Sequence, residues 1–164
     1  MNYITTSRKP SDRVRTFAKQ LSPLFESEYI IRGKNSISDL IAAARYNGIN
    51  YILIVTEKNG NPKQLLVIFL DEKVWEWKNT YFIKLLRTRS EILKENVNIR
   101  ITNFNLSTEN RALKSLLKTL RVNLDENSDI IVKDIKKGIS IFKDNKEIGP
   151  VFDIEYAKQR NFEE

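Results

Sequence analysis

Apolar and polar positions change period several times along this chain, and each change marks an expected element. Tyr3 to Thr6 is a short β-branched run that predicts a strand. Pro10 directs Lys9 toward an extended backbone, and Ser11 is placed to cap a helix in which Val14, Phe17, Ala18, Leu21, Leu24 and Phe25 recur at helical spacing. Pro23 ends or kinks that helix near Ser22. Tyr29 to Ile31 predicts a second strand, and Ser36 caps a second helix that buries Ile37, Leu40, Ile41 and Ala44 before Asn47-Gly48. Tyr51 to Val55 is a nearly continuous apolar run, as in a strand buried on both faces. The turn from Glu57 to Pro62 leads to its neighbour, Leu65 to Leu70.

Beyond Asp71-Glu72-Lys73, alternate positions Trp75, Trp77, Tyr81, Ile83 and Leu85 predict an extended strand or a bent pair, with the tryptophans packing in the core rather than stacking on bases. Val97 to Phe104 alternates likewise and predicts another strand. Leu113, Leu116, Leu117 and Leu120 form the apolar stripe of the clearest helix. Ile130 to Ile135, Ile139 to Phe142 and Val151 to Tyr156 predict an antiparallel meander, and residues 157 to 164 a polar end that is frayed or weakly helical. The pattern is that of an α/β (α+β) protein with mixed sheets and crossover helices. No linker divides the 164 residues.

Composition narrows the chemistry. The absence of cysteine and histidine removes disulfides, thiolate and imidazole metal sites and the commonest general base. No Gly-rich phosphate loop, dinucleotide fingerprint or nucleophile elbow occurs, so the expectation is a non-enzyme with no cofactor and no metal. No run approaches the roughly 20 apolar residues of a membrane span, and the first residues lack a basic-then-apolar signal pattern. A cytoplasmic protein without a membrane partner is expected. The net charge of +7, from 28 basic and 21 acidic residues, favours a polyanionic partner.

Basic residues gather at the strand-to-helix corners. Arg8, Lys9, Arg13 and Arg15 surround the start of the first helix, with Asp12 the only acid among them, and Arg32, Gly33 and Lys34 make a second corner. Such a corner is either a phosphate seat or an ordinary loop with solvated arginines. Arg111, Lys114, Lys118 and Arg121 form a basic stripe on the leucine helix, which either tracks a phosphate backbone or solubilises the helix. Arg87-Thr88-Arg89-Ser90 weakly echoes the first corner.

Several of these stretches resemble the Brix domain, a family of ribosome-biogenesis proteins that handle ribosomal RNA precursors. The residues are Thr6-Ser7-Arg8-Lys9-Pro10-Ser11 with Arg13 and Arg15; Arg32-Gly33 with Ser36, Ile37 and Leu40; Gly60-Asn61-Pro62 before a strand; and Gly149-Pro150-Val151-Phe152. They span nearly the whole chain in the family's order. Val151 stands where the family usually has arginine, and no role transfers there. The resemblance implies a single Brix domain over 1–164, built from duplicated half-domains of about 1–78 and 80–156. Each half would look like the anticodon-binding domain of class II aminoacyl-tRNA synthetases. It further implies a factor that binds ribosomal RNA precursors and assists their processing and ribosome assembly. The expected contacts are Ser7, Arg8, Lys9, Arg13, Arg15, Lys19, Arg32 and Lys34. The protein would be a monomer when free and could act beside another ribosome assembly protein. A protein-interaction module of an assembly complex and a tRNA-recognition module are the alternatives.

Overall fold

The computed structural model describes residues 1–157. The expectation of a frayed or helical end therefore falls on 158–164, outside the described residues. Ala157 is still held, its amide donating to the Thr80 carbonyl at 3.1 Å. The strands are β1 (Asn2–Thr6), β2 (Ser27–Tyr29), β3 (Tyr51–Lys58), β4 (Asn61–Leu70), β5 (Trp75–Arg87), β6 (Asn105–Ser107), β7 (Ile130–Asp134), β8 (Ile139–Lys143), β9 (Lys146–Glu147) and β10 (Val151–Tyr156). The helices are α1 (Asp12–Leu21), α2 (Ile37–Tyr46), α3 (Arg89–Leu93) and α4 (Arg111–Thr119).

All ten strands join one mixed sheet in the order β2-β1-β3-β4-β5-β10-β8-β7-β6, with β9 paired to β8. β1 runs parallel to β2 and β3, β6 runs parallel to β7, and the other pairs are antiparallel. The apolar run of β3 lies between β1 and β4, where Ile52 to Val55 are fully buried. Burying each such side chain contributes about 1.5–3 kcal/mol.

Alternation along the strands sorts these residues into two clusters. Leu53, Val55, Leu65 and Val67 pack with Val14, Phe17, Ala18 and Leu21 of α1, and the same cluster continues through Ile83, Ile139 and Phe152 to Leu113, Leu116 and Leu117 of α4. Phe17 and Phe152 meet edge-on at 6.1 Å, joining α1 to β10. On the opposite face, Ile52, Ile54, Leu66 and Ile68 pack against Leu40, Ile41 and Ala44 of α2. All three long helices begin on local caps. Ser11 Oγ accepts from the Val14 amide (3.2 Å), Asn110 Oδ1 accepts from Leu113 (2.9 Å), and Ser36 and Asp39 exchange bonds in a capping box. The Ser36 amide bond also holds the Asp39 carboxyl below its ordinary pKa.

Three expectations are corrected. β2 lies at 27–29 rather than 29–31, because Ser27 is tied to Ser22 by its amide (2.9 Å) and hydroxyl (3.0 Å), which sets it beside Asn2. No strand forms over 97–104. Ile101 and Phe104 are buried, so the alternation reports which side chains face the core, but among the described residues the backbone there has no strand to pair with and pairing begins only at β6. The alternation from Trp75 to Leu85 does describe a strand, but not one face. Trp77 pairs with Ile68 whereas Asn79 pairs with Val67, leaving Lys78 as an extra residue. This bulge places Trp77 against the α2 cluster and Tyr81, Ile83 and Leu85 in the other, while Trp75 stays 40% exposed beside Trp77.

Candidate nucleic-acid interface

The turn between β1 and α1 is held from both sides. The Ser7 amide donates to the Val55 carbonyl (3.0 Å), the Ser11 amide to Glu57 Oε2 (2.7 Å) and Ser11 Oγ to the Gly60 carbonyl (2.8 Å). The β3–β4 hairpin thus clamps the start of α1. Between the two anchors Lys9 takes φ 54, in the left-handed region, rather than the extended backbone expected before Pro10. The anchors outweigh the local preference of a residue before proline. The threonine hydroxyls are spent on backbone: Thr5 Oγ1 donates to the Ile30 carbonyl (2.6 Å) and Thr6 Oγ1 to that of Ser7 (2.9 Å).

The eight expected contact residues divide sharply. Arg8 and Lys9 are exposed, with no ion pair or side-chain hydrogen bond among the described residues. Ser7 is half-buried beside them, and Lys34 is exposed in the neighbouring loop. Arg13 is committed elsewhere, donating from Nε to Asn61 Oδ1 (3.0 Å) and from Nη1 to Glu91 Oε1 (3.2 Å). Arg15 pairs with Asp12 at 2.9 Å and reaches the Pro10 carbonyl at 3.4 Å. Lys19 lies on the outer side of α1 with its Nζ 5.4 Å from the centre of the Tyr29 ring.

Arg32 is a correction. It is 1% exposed, and its Nε and Nη1 donate to the carbonyls of Asn35 (2.8 Å) and Thr6 (3.0 Å). Its guanidinium fastens the second corner onto the end of β1 and faces no solvent. Those bonds also bring the loop carrying Lys34 next to the turn carrying Arg8 and Lys9.

Residues 32 to 35 are not the only addition to this end of the sheet. Lys58 and Lys63 of the β3–β4 hairpin are exposed close to the Gly60 carbonyl that binds Ser11. Sequence pattern treats them as turn lysines; their position flanking Gly60-Asn61-Pro62 was the available signal. Arg89 was also missed. It is buried in the second half and donates from Nε and Nη2 to the Gly149 carbonyl (3.2 and 2.9 Å). Its signal was the echo Arg87-Thr88-Arg89-Ser90.

Arg111, Lys114, Lys118 and Arg121 are all exposed, opposite the buried Ala112, Leu113, Leu116 and Leu117 of α4. Since α1 and α4 pack on the same cluster, Lys19 and this stripe lie on one face of the sheet. Among the described residues no group of acids could hold a metal ion, and no helix is long and apolar enough to cross a membrane.

The chain is similar to several known proteins. A probable Brix domain-containing ribosomal biogenesis protein of Methanothermobacter thermautotrophicus is 43% identical over 70 residues, which are 43% of this chain and 41% of that protein. The match thus spans less than half of that curated relative. The crystal structure of Mil, an archaeal Imp4-like protein, superposes with a TM-score of 0.65 at 22% identity, covering 94% of this chain and 99% of that one. A probable ribosomal biogenesis protein from Aeropyrum pernix K1 reaches 0.70 at 18% identity, covering 97% and 98%. At these identities the two structures speak for the fold, an α/β architecture with a mixed sheet and few helices. No protein-family model matches the chain. Nor does any of these likenesses point to an enzyme. In the sequence likeness of the first relative, the shared fold and the Thr6-to-Ser11 corner, the chain is similar to Brix-domain proteins.

Proposed function

We propose that the protein binds ribosomal RNA precursors through phosphate contacts and serves ribosome assembly without catalysing a reaction. The observation that carries this is the pair Arg8 and Lys9, exposed and unpaired on a turn clamped by three hydrogen bonds. A rigid turn presents its cations without a large ordering cost, and arginine and lysine supply forked and point-charge contacts to phosphate. Lys34, Lys58 and Lys63 extend the basic surface at the same end, with Ser7 as a neutral donor. Arg13 and Arg15 support the turn through their own partners, and Arg32 acts by holding the corner. Lys19 and the α4 stripe provide a second basic face. The names of the relatives, ribosomal biogenesis proteins, favour a ribosomal RNA over a transfer RNA and fit action beside other assembly proteins.

Replacing Arg8 and Lys9 together by alanine is expected to lower affinity for precursor RNA and to flatten the slope of log affinity against log salt by about one to two units. Thermal unfolding should hardly move. Unchanged affinity and slope would return the motif to folding alone.

The duplicated-unit reading is supported by strand sense. Along β1-β3-β4-β5 the pairings are parallel, antiparallel, antiparallel, and along β6-β7-β8-β10 they recur in that order. α1 and α4 follow the first strand of each set, and β2 with α2 belongs to the first set alone. The boundary between halves 1–78 and 80–156 falls inside β5, which pairs with β4 through Trp75–Phe82 and with β10 through Tyr81–Arg87. Superposing the two strand sets tests the reading; failure of α4 to fall on α1 would refute it.

A further inference from the structure

A cleft of about 700 Å³ opens between α1 and the segment from Thr88 to Ile99, and neither Arg8 nor Lys9 lines it. Arg89 does, although only 4% exposed. A buried cation is costly unless paired, yet this one is not. Its Nε and Nη2 share the single carbonyl of Gly149, its Nη1 donates to nothing among the described residues, and no carboxylate forms an ion pair with it. Burial accordingly pulls its pKa below the ordinary arginine value.

The acids at the cleft do not fill this gap. Glu91 is taken by Arg13 at 3.2 Å and by the hydroxyl of Thr88, which together hold its carboxyl below the usual range. Asp12 is taken by Arg15 at 2.9 Å and stands 98% exposed. Lys19 lies on the wall formed by α1, and Ser90, Asn96 and Asn98 supply neutral polar groups. The lining sets Arg13, Lys19 and Arg89 against Asp12 and Glu91, and the largely buried Arg89 keeps an Nη1 without a partner among the described residues, around a space large enough for a tetrahedral anion.

We infer that this cleft seats a phosphate group, with Arg89 Nη1 as the charge-assisted donor and Lys19 as the second cation. That the phosphate belongs to an RNA backbone rests on the function proposed above; the seat itself does not. Because Arg89 also holds Gly149, the test leaves it in place and changes Asn98, an exposed cleft residue.

Inorganic pyrophosphate is titrated by calorimetry into the wild type, Asn98→Ala, Asn98→Asp and the Arg8→Ala/Lys9→Ala double variant. Saturable binding is expected in the wild type and the double variant alike. Asn98→Asp sets a carboxylate facing the site and is expected to weaken binding by roughly tenfold or more, with unchanged unfolding temperature, whereas Asn98→Ala stays within about threefold. An RNA arm separates the sources. If the seat takes backbone phosphate, adding Asn98→Asp to the double variant flattens the salt slope by about one further unit. If it takes free phosphate, only pyrophosphate binding responds. Pyrophosphate binding by a wild type that does not bind RNA would sink the RNA function and leave the seat. Absent pyrophosphate binding, or binding indifferent to Asn98→Asp, would overturn the seat.

Discussion

Arg32→Ala separates a cation that holds the fold from one that meets RNA. The substitution removes a guanidinium that is 1% exposed and donates to the carbonyls of Thr6 at 3.0 Å and Asn35 at 2.8 Å. Hydrogen bonds from a charged donor are worth about 1.5–3 kcal/mol each, so these two amount to roughly 3–6 kcal/mol. Water entering the emptied space recovers part, and the expected loss is about 3–5 kcal/mol. In a domain of this size each kcal/mol lowers Tm by about 2–4 °C, giving a fall on the order of 10 °C. Urea unfolding followed by circular dichroism measures the loss directly, with Lys34→Ala, two residues along and exposed, expected within about 0.5 kcal/mol of wild type. An Arg32→Ala protein that lost less than about 1 kcal/mol while its RNA affinity fell with a flattened salt slope would refute the structural role.

Other outcomes follow from particular contacts. Lys58→Ala with Lys63→Ala should flatten the salt slope of RNA binding by about one to two units at unchanged stability, read by fluorescence anisotropy over a salt series. Gly138→Ala should cost about 2–4 kcal/mol by urea unfolding, since φ is 97° and a Cβ would stand 2.8 Å from both the Phe152 carbonyl oxygen and Leu86 Cδ1. Burial pushes the Tyr81 phenol up to about 12 from 10.0. The folded protein therefore keeps a proton that the unfolded chain releases, so this stability is full below pH 10 and is lost as pH rises toward 12. Over that window the wild type should lose roughly 2–3 kcal/mol more than Tyr81→Phe, measured by denaturant midpoints.

Local signals determined much of this protein. Ser11, Ser36 and Asn110 cap helices because a hydroxyl or side-chain amide oxygen reaches a backbone amide only three residues ahead, and the apolar stripes of α1, α2 and α4 follow from the helical period. The buried runs of β3 and β4 were legible for the same reason, as was the exposure of Arg8, Lys9 and the α4 stripe. Tertiary structure decided whatever needed a distant partner. Val97 to Phe104 alternates like a strand yet has none to pair with, and one extra residue at Lys78 sends Trp77 and Tyr81 to opposite faces. Arg32 and Arg89 look in sequence like the other corner arginines. Their burial depends on carbonyls 26 and 60 residues away, at Thr6 and Gly149, and the approach of Lys58 and Lys63 to the first turn depends on Ser11 bonding Gly60 across 49. A periodicity reports which side of an element is apolar, whereas the neighbour that side meets, and the charge enclosed with it, exist only once the sheet has closed around them.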